Sequence, residues 1–354
     1  MSAYSSLHEL ILTRLREFYR QPARIFWVYC FPLLLAVVLG LGFSNKKPTP
    51  IKVNVAIGAG DQFVVQALQR DGMKERPGLA PILMEHILRD RALDALEKGK
   101  TALVVETNAS GTVTYHFDPT RPEGNAARAS VDDLLQRSAG RTDPVNVVNQ
   151  MVTEPGSRYV DFLIPGLIGL NAMGGGLWGV GFLLVNMRIG KLLKRFAATP
   201  MPRSNFLLSL LGARLVFLIP DVAVLMMLGM LAFKMPMRGN IVLLILVVVV
   251  GALAFAGIGL LVASRARTTE AVSGMMNLVM IPMWLLSGVL FSYEVYPKPM
   301  QNLIRALPLT QMVDALRMVI LEGASLVQIG PSLLILAAWA AITFFLALRI
   351  FRWT

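Results

Sequence analysis

Apolar residues fall into six long stretches, separated by short polar links and one long polar insertion. A helix that crosses the hydrocarbon core of a bilayer needs about 20 mainly apolar residues. Uncharged runs of that order occupy Ile25–Asn45, Phe162–Met187, Ile241–Ser264, Ala271–Tyr293 and Gly323–Leu348. A sixth, Leu215–Phe233, is interrupted only by Asp221. The pattern predicts an α-helical polytopic membrane protein with six transmembrane helices, at 25–45, 161–187, 205–233, 241–264, 271–293 and 323–350. An even number of spans puts both chain ends on one side.

The insertion, residues 46–160, has a different texture. Ile51–Ile57 alternates as a strand, Phe63–Leu68 has helical spacing, and Asp90–Lys98 reads as a helix leading into a strand at Ala102–Glu106. Thr112–Phe117 is another predicted strand, and Val131–Arg137 reads as a helix. Mixed order of this kind predicts a small α/β domain outside the membrane.

Composition agrees with a lipid-solvated chain: 55% of the 354 residues are hydrophobic and 16% are charged, against about 25% charged in an average soluble domain. The net charge of +12 resembles a nucleic-acid signal until it is located. Between Ser44 and Asp161 there are 15 Lys/Arg and 15 Asp/Glu, so the whole excess flanks apolar runs. That is the distribution of topology determinants, and it argues against a nucleic-acid partner. With the N-terminus inside, 14 Lys/Arg fall in cytoplasmic pieces and five in the short outer ones. The expectation is a multi-pass cytoplasmic (inner) membrane protein with both termini cytoplasmic. Cys30 is the only cysteine, so the chain holds no internal disulfide or cysteine cluster, and no cleavable signal peptide is evident.

Four segments are candidates for function. Residues 1–24 predict an amphipathic interfacial helix, with Leu7, Leu10, Ile11, Leu15 and Phe18 on one face and a Ser6/Glu9 capping box. In the 188–204 loop, Ile189, Leu192, Leu193 and Phe196 follow i, i+3, i+4, i+7, opposite Arg188, Lys191, Lys194 and Arg195. Such a helix either lies on anionic lipid or docks a partner that drives motion. Between the fifth and sixth spans, at 294–322, Pro297, Pro299 and Pro308 forbid one straight helix. There Asp314 and Arg317 are spaced to pair on one helical face. Within the spans, Asp221 and Asn277 are the polar side chains of interest. A lone central Asp costs about 2.5–3.5 kcal/mol, so Asp221 should face the bundle or water. Arg214, seven residues earlier, lies on the same face but about 10 Å along the axis, so a direct pair needs side-chain reach or another helix.

The string Arg188–Leu208 (RIGKLLKRFAATPMPRSNFLL) resembles the first cytoplasmic loop of ABC-2 type permeases. There a Gly-x-Leu and a basic or polar patch precede a Thr-Pro, here Thr199-Pro200, and a Phe-Leu-Leu that leads into the next span. Leu286–Arg317, with Ser287-Gly288-Val289-Leu290-Phe291, Pro297, Leu307-Pro308-Leu309-Thr310 and Asp314-Ala315-Leu316-Arg317, resembles the family's outer re-entrant helices. Phe162-Leu163-Ile164-Pro165-Gly166 resembles the opening of its second span. The chain departs at Asn186-Met187-Arg188, where many relatives carry acidic residues.

The resemblance implies a type V exporter-like permease that pairs with a second permease, identical or related, and two cytoplasmic ABC ATPase subunits. ATP and Mg would sit on the ATPase, with no cofactor in this chain. Arg188–Thr199 would be the coupling helix. Phe291, Pro297, Pro308, Asp314 and Arg317 would lie at the outer gate, and the external domain would meet the exit route or a periplasmic adaptor. Amphipathic drugs, lipids and envelope precursors all suit such a route.

Other motifs fail. Gly174, Gly176 and Gly179 match G-x-G-x-x-G but lie inside an apolar span, where close helix packing, including a Gly175/Gly179 GxxxG pair, explains them better. Gly99-Lys100-Thr101 imitates the end of a phosphate loop, but Asp94 stands where the first glycine belongs. His86 and His116 lack metal-ligand spacing. The rival reading is a membrane-anchored assembly or signalling protein whose α/β domain binds a ligand, although anchoring needs only one span. An ion-coupled transporter would want more charges within spans than Asp221.

Overall fold

The computed structural model describes residues 19–43, 50–74, 80–142, 158–197, 203–266 and 268–350, with single positions at 9, 12, 13, 16, 17, 144 and 156. The apolar face proposed for residues 1–24, and Ser6 of its capping box, lie outside the described residues. Two compact units emerge, residues 1–44 with 153–354, and residues 45–152.

The first apolar run starts with a turn at Pro22–Ile25, passes through a π-helical turn at Phe26–Cys30 and continues as α1, Phe31–Phe43. Its apolar stretch, Phe26–Gly42, is shorter than the five helices that are long and apolar enough to cross a membrane.

In the second unit, β1 (Ile51–Ala56), α2 (Asp61–Asp71), β2 (Ile82–Ile87), α3 (Arg89–Glu97), β3 (Leu103–Thr107), β4 (Val113–His116) and α4 (Pro122–Ser138) follow in order. The sheet runs β2-β1-β3-β4, with β1 parallel to β2 and β3, and β4 antiparallel to β3. Val53, Val55, Leu103 and Val105 alternate along the central strands and bury one face against Val64, Leu68, Val131 and Leu134 of α2 and α4. The intervening Asn54 and Val104 are buried too, and α3 packs on these strands. The strand β2 has no counterpart among the predicted elements. It is an edge strand whose residues after Ile82 are half-buried or exposed, so ILMEHI shows no alternation to read.

The spanning helices come next. Tyr159–Ile189 comprises α5 (Tyr159–Gly176), a π turn at Leu177–Phe182 and α6 (Leu183–Ile189). A short α7 (Leu192–Ala197) precedes α8 (Arg203–Ala232), and α9 (Ile241–Arg265) follows. The fifth predicted span is shorter than expected: α10 covers Thr269–Leu286, and Gly288, at φ 72°, turns the chain before a 3-10 turn at Tyr293–Val295. Left-handed backbone at that position favours glycine. Two short helices, α11 (Lys298–Arg305) and α12 (Pro308–Arg317), then a π turn at Met318–Glu322, lead to α13, Leu326–Ile350. Both short helices carry proline in their first turn, where its missing N–H costs nothing.

The core of this unit lies along Tyr159–Ile189 and α9, each more buried than α10 or α13. Their backbones meet at glycines. A Cβ on Gly259 would stand 2.6 Å from the Gly176 carbonyl oxygen, and one on Gly181 would stand 2.5 Å from the Gly259 carbonyl oxygen. Close helix packing is therefore real, but the predicted Gly175/Gly179 pair does something else. A Cβ on Gly175 would overlap the Arg214 guanidinium, so this stripe makes room for a side chain rather than a helix.

Candidate functional site

Arg214 and Asp221 form a direct pair, through the side-chain reach that the spacing required. Arg214 Nη2 lies 3.6 Å from Asp221 Oδ2, and the two side chains are 10% and 1% exposed. The long arginine side chain bridges the axial gap, and the absent Gly175 side chain leaves it space. Arg214 also donates from Nη2 to the Asn171 carbonyl oxygen at 2.9 Å, which joins α8 to α5. At 3.6 Å the ion pair is not a hydrogen bond. Among the described residues neither Asp221 oxygen accepts one, and Arg214 Nε has no hydrogen-bond partner.

This pair lies in the wall of a cavity of about 510 Å³. Its other walls come from α5, the π turn that follows, α8 and the first apolar helix, with Trp27, Phe31, Trp178, Phe182 and Phe217 as the large side chains. Both π turns contribute to it, through Trp27 and Val28 and through Trp178 and Gly179. Asn171 was not among the sequence candidates; Arg214 uses its backbone carbonyl, which no side-chain pattern marks.

Between α10 and α13, Asp314 and Arg317 approach to 3.9 Å as predicted. The structure adds partners that spacing could not show. Tyr293 Oη donates to Asp314 Oδ2 at 3.0 Å. Arg317 Nη2 donates to the carbonyl oxygens of Gly288 at 2.6 Å and Phe162 at 3.1 Å, and its guanidinium covers the Phe162 ring. Pro297 caps α11 and Pro308 is buried at the start of α12, whereas Phe291 is 68% exposed. Trp339 of α13 donates to the Ala306 carbonyl oxygen at 2.9 Å and holds the hairpin from the other side.

The loop after α6 departs from the predicted single amphipathic helix. The helix breaks at Gly190 and Lys191, the latter in left-handed backbone at φ 55°, so the apolar spacing does not describe one face. Leu193 is buried, while Ile189 and Leu192 are exposed. Lys191, Lys194 and Arg195 are exposed as expected. Arg188 instead turns inward and donates to the carbonyl oxygens of Ala263 and Ala266 at 2.8 and 2.9 Å. A cation there satisfies orphan carbonyls at the C-terminus of α9 and complements its dipole. The side chain of Phe196, with Thr199 and Pro200, lies outside the described residues. Asn277 is exposed on α10, beside the exposed Leu278 and Ile281.

In the second unit both histidines pair with carboxylates. His86 Nε2 lies 2.8 Å from Asp61 Oδ2, which also accepts from the Gly58 N–H at 3.1 Å. His116 and Arg89 share Glu106, at 3.1 and 2.8 Å. The Gly58 amide, then His86, hold the Asp61 carboxyl below its ordinary value, and Arg89, then His116, do the same for Glu106. Among the described residues no group of three His, Cys, Asp or Glu could hold a metal ion.

A family model described as ABC-2 family transporter protein matches residues 23–349, nearly the whole chain. The chain belongs to the ABC-2 transporter family. Similar curated proteins include ABC transporter G family member 20 of Dictyostelium discoideum, 27% identical over 62% of this chain and 30% of that protein. The linearmycin resistance permease protein LnrN of Bacillus subtilis (strain 168) is 34% identical over 32% of this chain and 30% of its own length. The probable multidrug ABC transporter permease YbhR of Escherichia coli (strain K12) is 25% identical over 56% of this chain and 54% of its length. Each match thus spans little more than half of the relative, or less.

Proposed function

We propose that this ABC-2 family chain is the membrane-spanning permease subunit of an ATP-driven exporter, working with a separate ATPase subunit present in two copies and a second permease. The family match over residues 23–349 carries the reading. The names of two relatives, a multidrug permease and a linearmycin resistance permease, support an amphipathic drug, lipid or envelope-related cargo.

In this reading Phe26–Gly42 is the first of six spans, both termini are cytoplasmic, and residues 46–160 form the extracytoplasmic domain, next to any periplasmic adaptor. The Lys/Arg asymmetry supports that orientation. The ATPase meets the 188–204 loop through exposed Lys191, Lys194 and Arg195, together with Ile189 and Leu192, and its thrust reaches α9 through the Arg188 contacts. Leu193 anchors the short helix, and Phe196, Thr199 and Pro200 complete the loop. Phe291, Pro297, Pro308, Asp314 and Arg317 shape the outer gate. Asn277 sits on an otherwise apolar exposed face, and a second permease packed there would give its amide a partner other than lipid.

The test is co-purification with an ATPase subunit, followed by hydrolysis measurements. Deleting residues 190–197 should leave the two subunits able to hydrolyse ATP but no longer coupled to transport. Unchanged coupling after that deletion would remove the loop from the mechanism. Failure of any ATPase to co-purify would remove the permease reading itself.

A further inference from the structure

The cavity beside Arg214 and Asp221 combines two features that ask for a ligand of one chemical kind. Its volume, about 510 Å³, lies within the range of small-molecule sites, about 300–1,000 Å³. Its large side chains are aromatic: Trp27 and Phe31 from the first apolar helix, Trp178 and Phe182 from the π turn after α5, and Phe217 from α8. In its wall stands the Asp221 carboxylate, whose side chain is 1% exposed and whose two oxygens accept no hydrogen bond among the described residues. A carboxylate can accept about four, and leaving a buried one unsatisfied is costly. Arg214 Nε is likewise an unused donor.

We propose that this cavity binds one uncharged amphiphile, with its apolar body against the aromatic wall and a hydroxyl or amide head hydrogen-bonded across Arg214 and Asp221. Glu17 and Asn186 also line the cavity, and where the head sits the Arg214–Asp221 pair sets the charge preference. A cationic head drawn to Asp221 would meet the arginine 3.6 Å away, and an anionic head drawn to Arg214 would meet the carboxylate. A neutral head that both donates and accepts satisfies each group and repels neither. The inference does not depend on the exporter reading, since a cavity of this kind serves a transported molecule or a resident neutral lipid equally.

The test uses the full chain in nanodiscs of a single neutral lipid and reads tryptophan quenching by three bromine-tagged probes of equal chain length. These are a fatty alcohol, a fatty acid anion and an alkyl trimethylammonium. The alcohol should quench saturably and more strongly than either ion, and the signal should fall in Trp178→Phe. Asp221→Asn leaves Arg214 uncompensated. It should weaken the alcohol about tenfold, as losing a hydrogen bond to a charged group does, and strengthen the anion. Gly174→Leu tests the space alone, because among the described residues no neighbouring heavy atom outside its own helix turn lies within 4 Å of a Cβ built there. Leucine is also the better helix former, so this variant should fold and bind none of the three probes. It decides the matter even if Asp221→Asn does not fold.

Mass spectrometry of the purified chain separates the two sources. A neutral lipid retained by the wild type and absent from Gly174→Leu identifies a resident lipid, and an empty cavity that takes the alcohol leaves the transported molecule. Quenching that never saturates and ignores Gly174→Leu would mean partition into the bilayer alone and would overturn the proposal. A preference for the trimethylammonium probe would do the same.

Discussion

Arg317 covers the face of Phe162, 3.4 Å from the ring centroid, and donates to the carbonyl oxygen of the same residue at 3.1 Å. One side chain thus secures the start of α5, while a further bond to the Gly288 carbonyl secures the turn after α10.

Arg317→Ala should lower the stability of the membrane unit by about 1.5–3 kcal/mol, the range for hydrogen bonds to charged groups. Arg317→Lys keeps the charge but loses the planar fork and should recover only part of that. Thermal unfolding in detergent measures both. A lysine variant as stable as wild type would show that charge alone is required.

Arg214→Met should destabilise more than the double change Arg214→Met with Asp221→Leu. The single variant strands a buried carboxylate at a cost of about 3–5 kcal/mol, and the double variant removes it. Melting temperatures of the single and double variants test the order. The reverse order would mean that Asp221 is satisfied without arginine.

Close approach predicts opposite outcomes for two glycines. Gly259→Ala pushes a methyl against the Gly176 carbonyl and should cost about 1–3 kcal/mol. Gly274→Ala adds its methyl to open space and should gain up to about 1 kcal/mol through helix propensity. Comparing their unfolding in one detergent checks the pair.

Acid should loosen the 45–152 unit through Asp61 and Glu106. Their folded carboxyls are held below ordinary values, so the unfolded chain takes up protons first as pH falls. The stability they contribute is full above the ordinary carboxylate range and drains away as pH drops through the depressed folded values. Pepsin cleavage within residues 50–74, followed from about pH 5 down to about pH 2, should rise along that course. Asp61→Asn should flatten the rise. A wild-type cleavage profile independent of pH, after correction for pepsin's own activity, would contradict it.

The apolar runs were legible because lipid imposes a length and excludes charge, and five of the six emerged as helices long enough to cross. The strands β1, β3 and β4 were legible from local pattern, whereas β2 was not, because a sheet edge does not bury alternate residues. At the site, the Asp314–Arg317 pair follows from helical spacing. The tie from Arg317 to Phe162 joins residues 155 positions apart, which no local pattern encodes. Arg214 and Asp221 were visible as lone charges, but their approach depends on a vacancy at Gly175 on another helix. The loop after α6 misled for a similar reason. Its apolar spacing is helical, yet Gly190 and Lys191 interrupt the backbone and Arg188 is claimed by α9.

The two π turns that wall the cavity carry a consequence for how such a compartment arises. Each places one more residue in a turn than an α-helix allows, so the extra residue is absorbed locally and the helix on either side keeps its register. Losing a single codon within 177–182 would restore the ordinary winding and swing Trp178 or Phe182 onto a different face. One small insertion or deletion is thus enough to gain or lose this chamber, with the rest of the bundle left as it is.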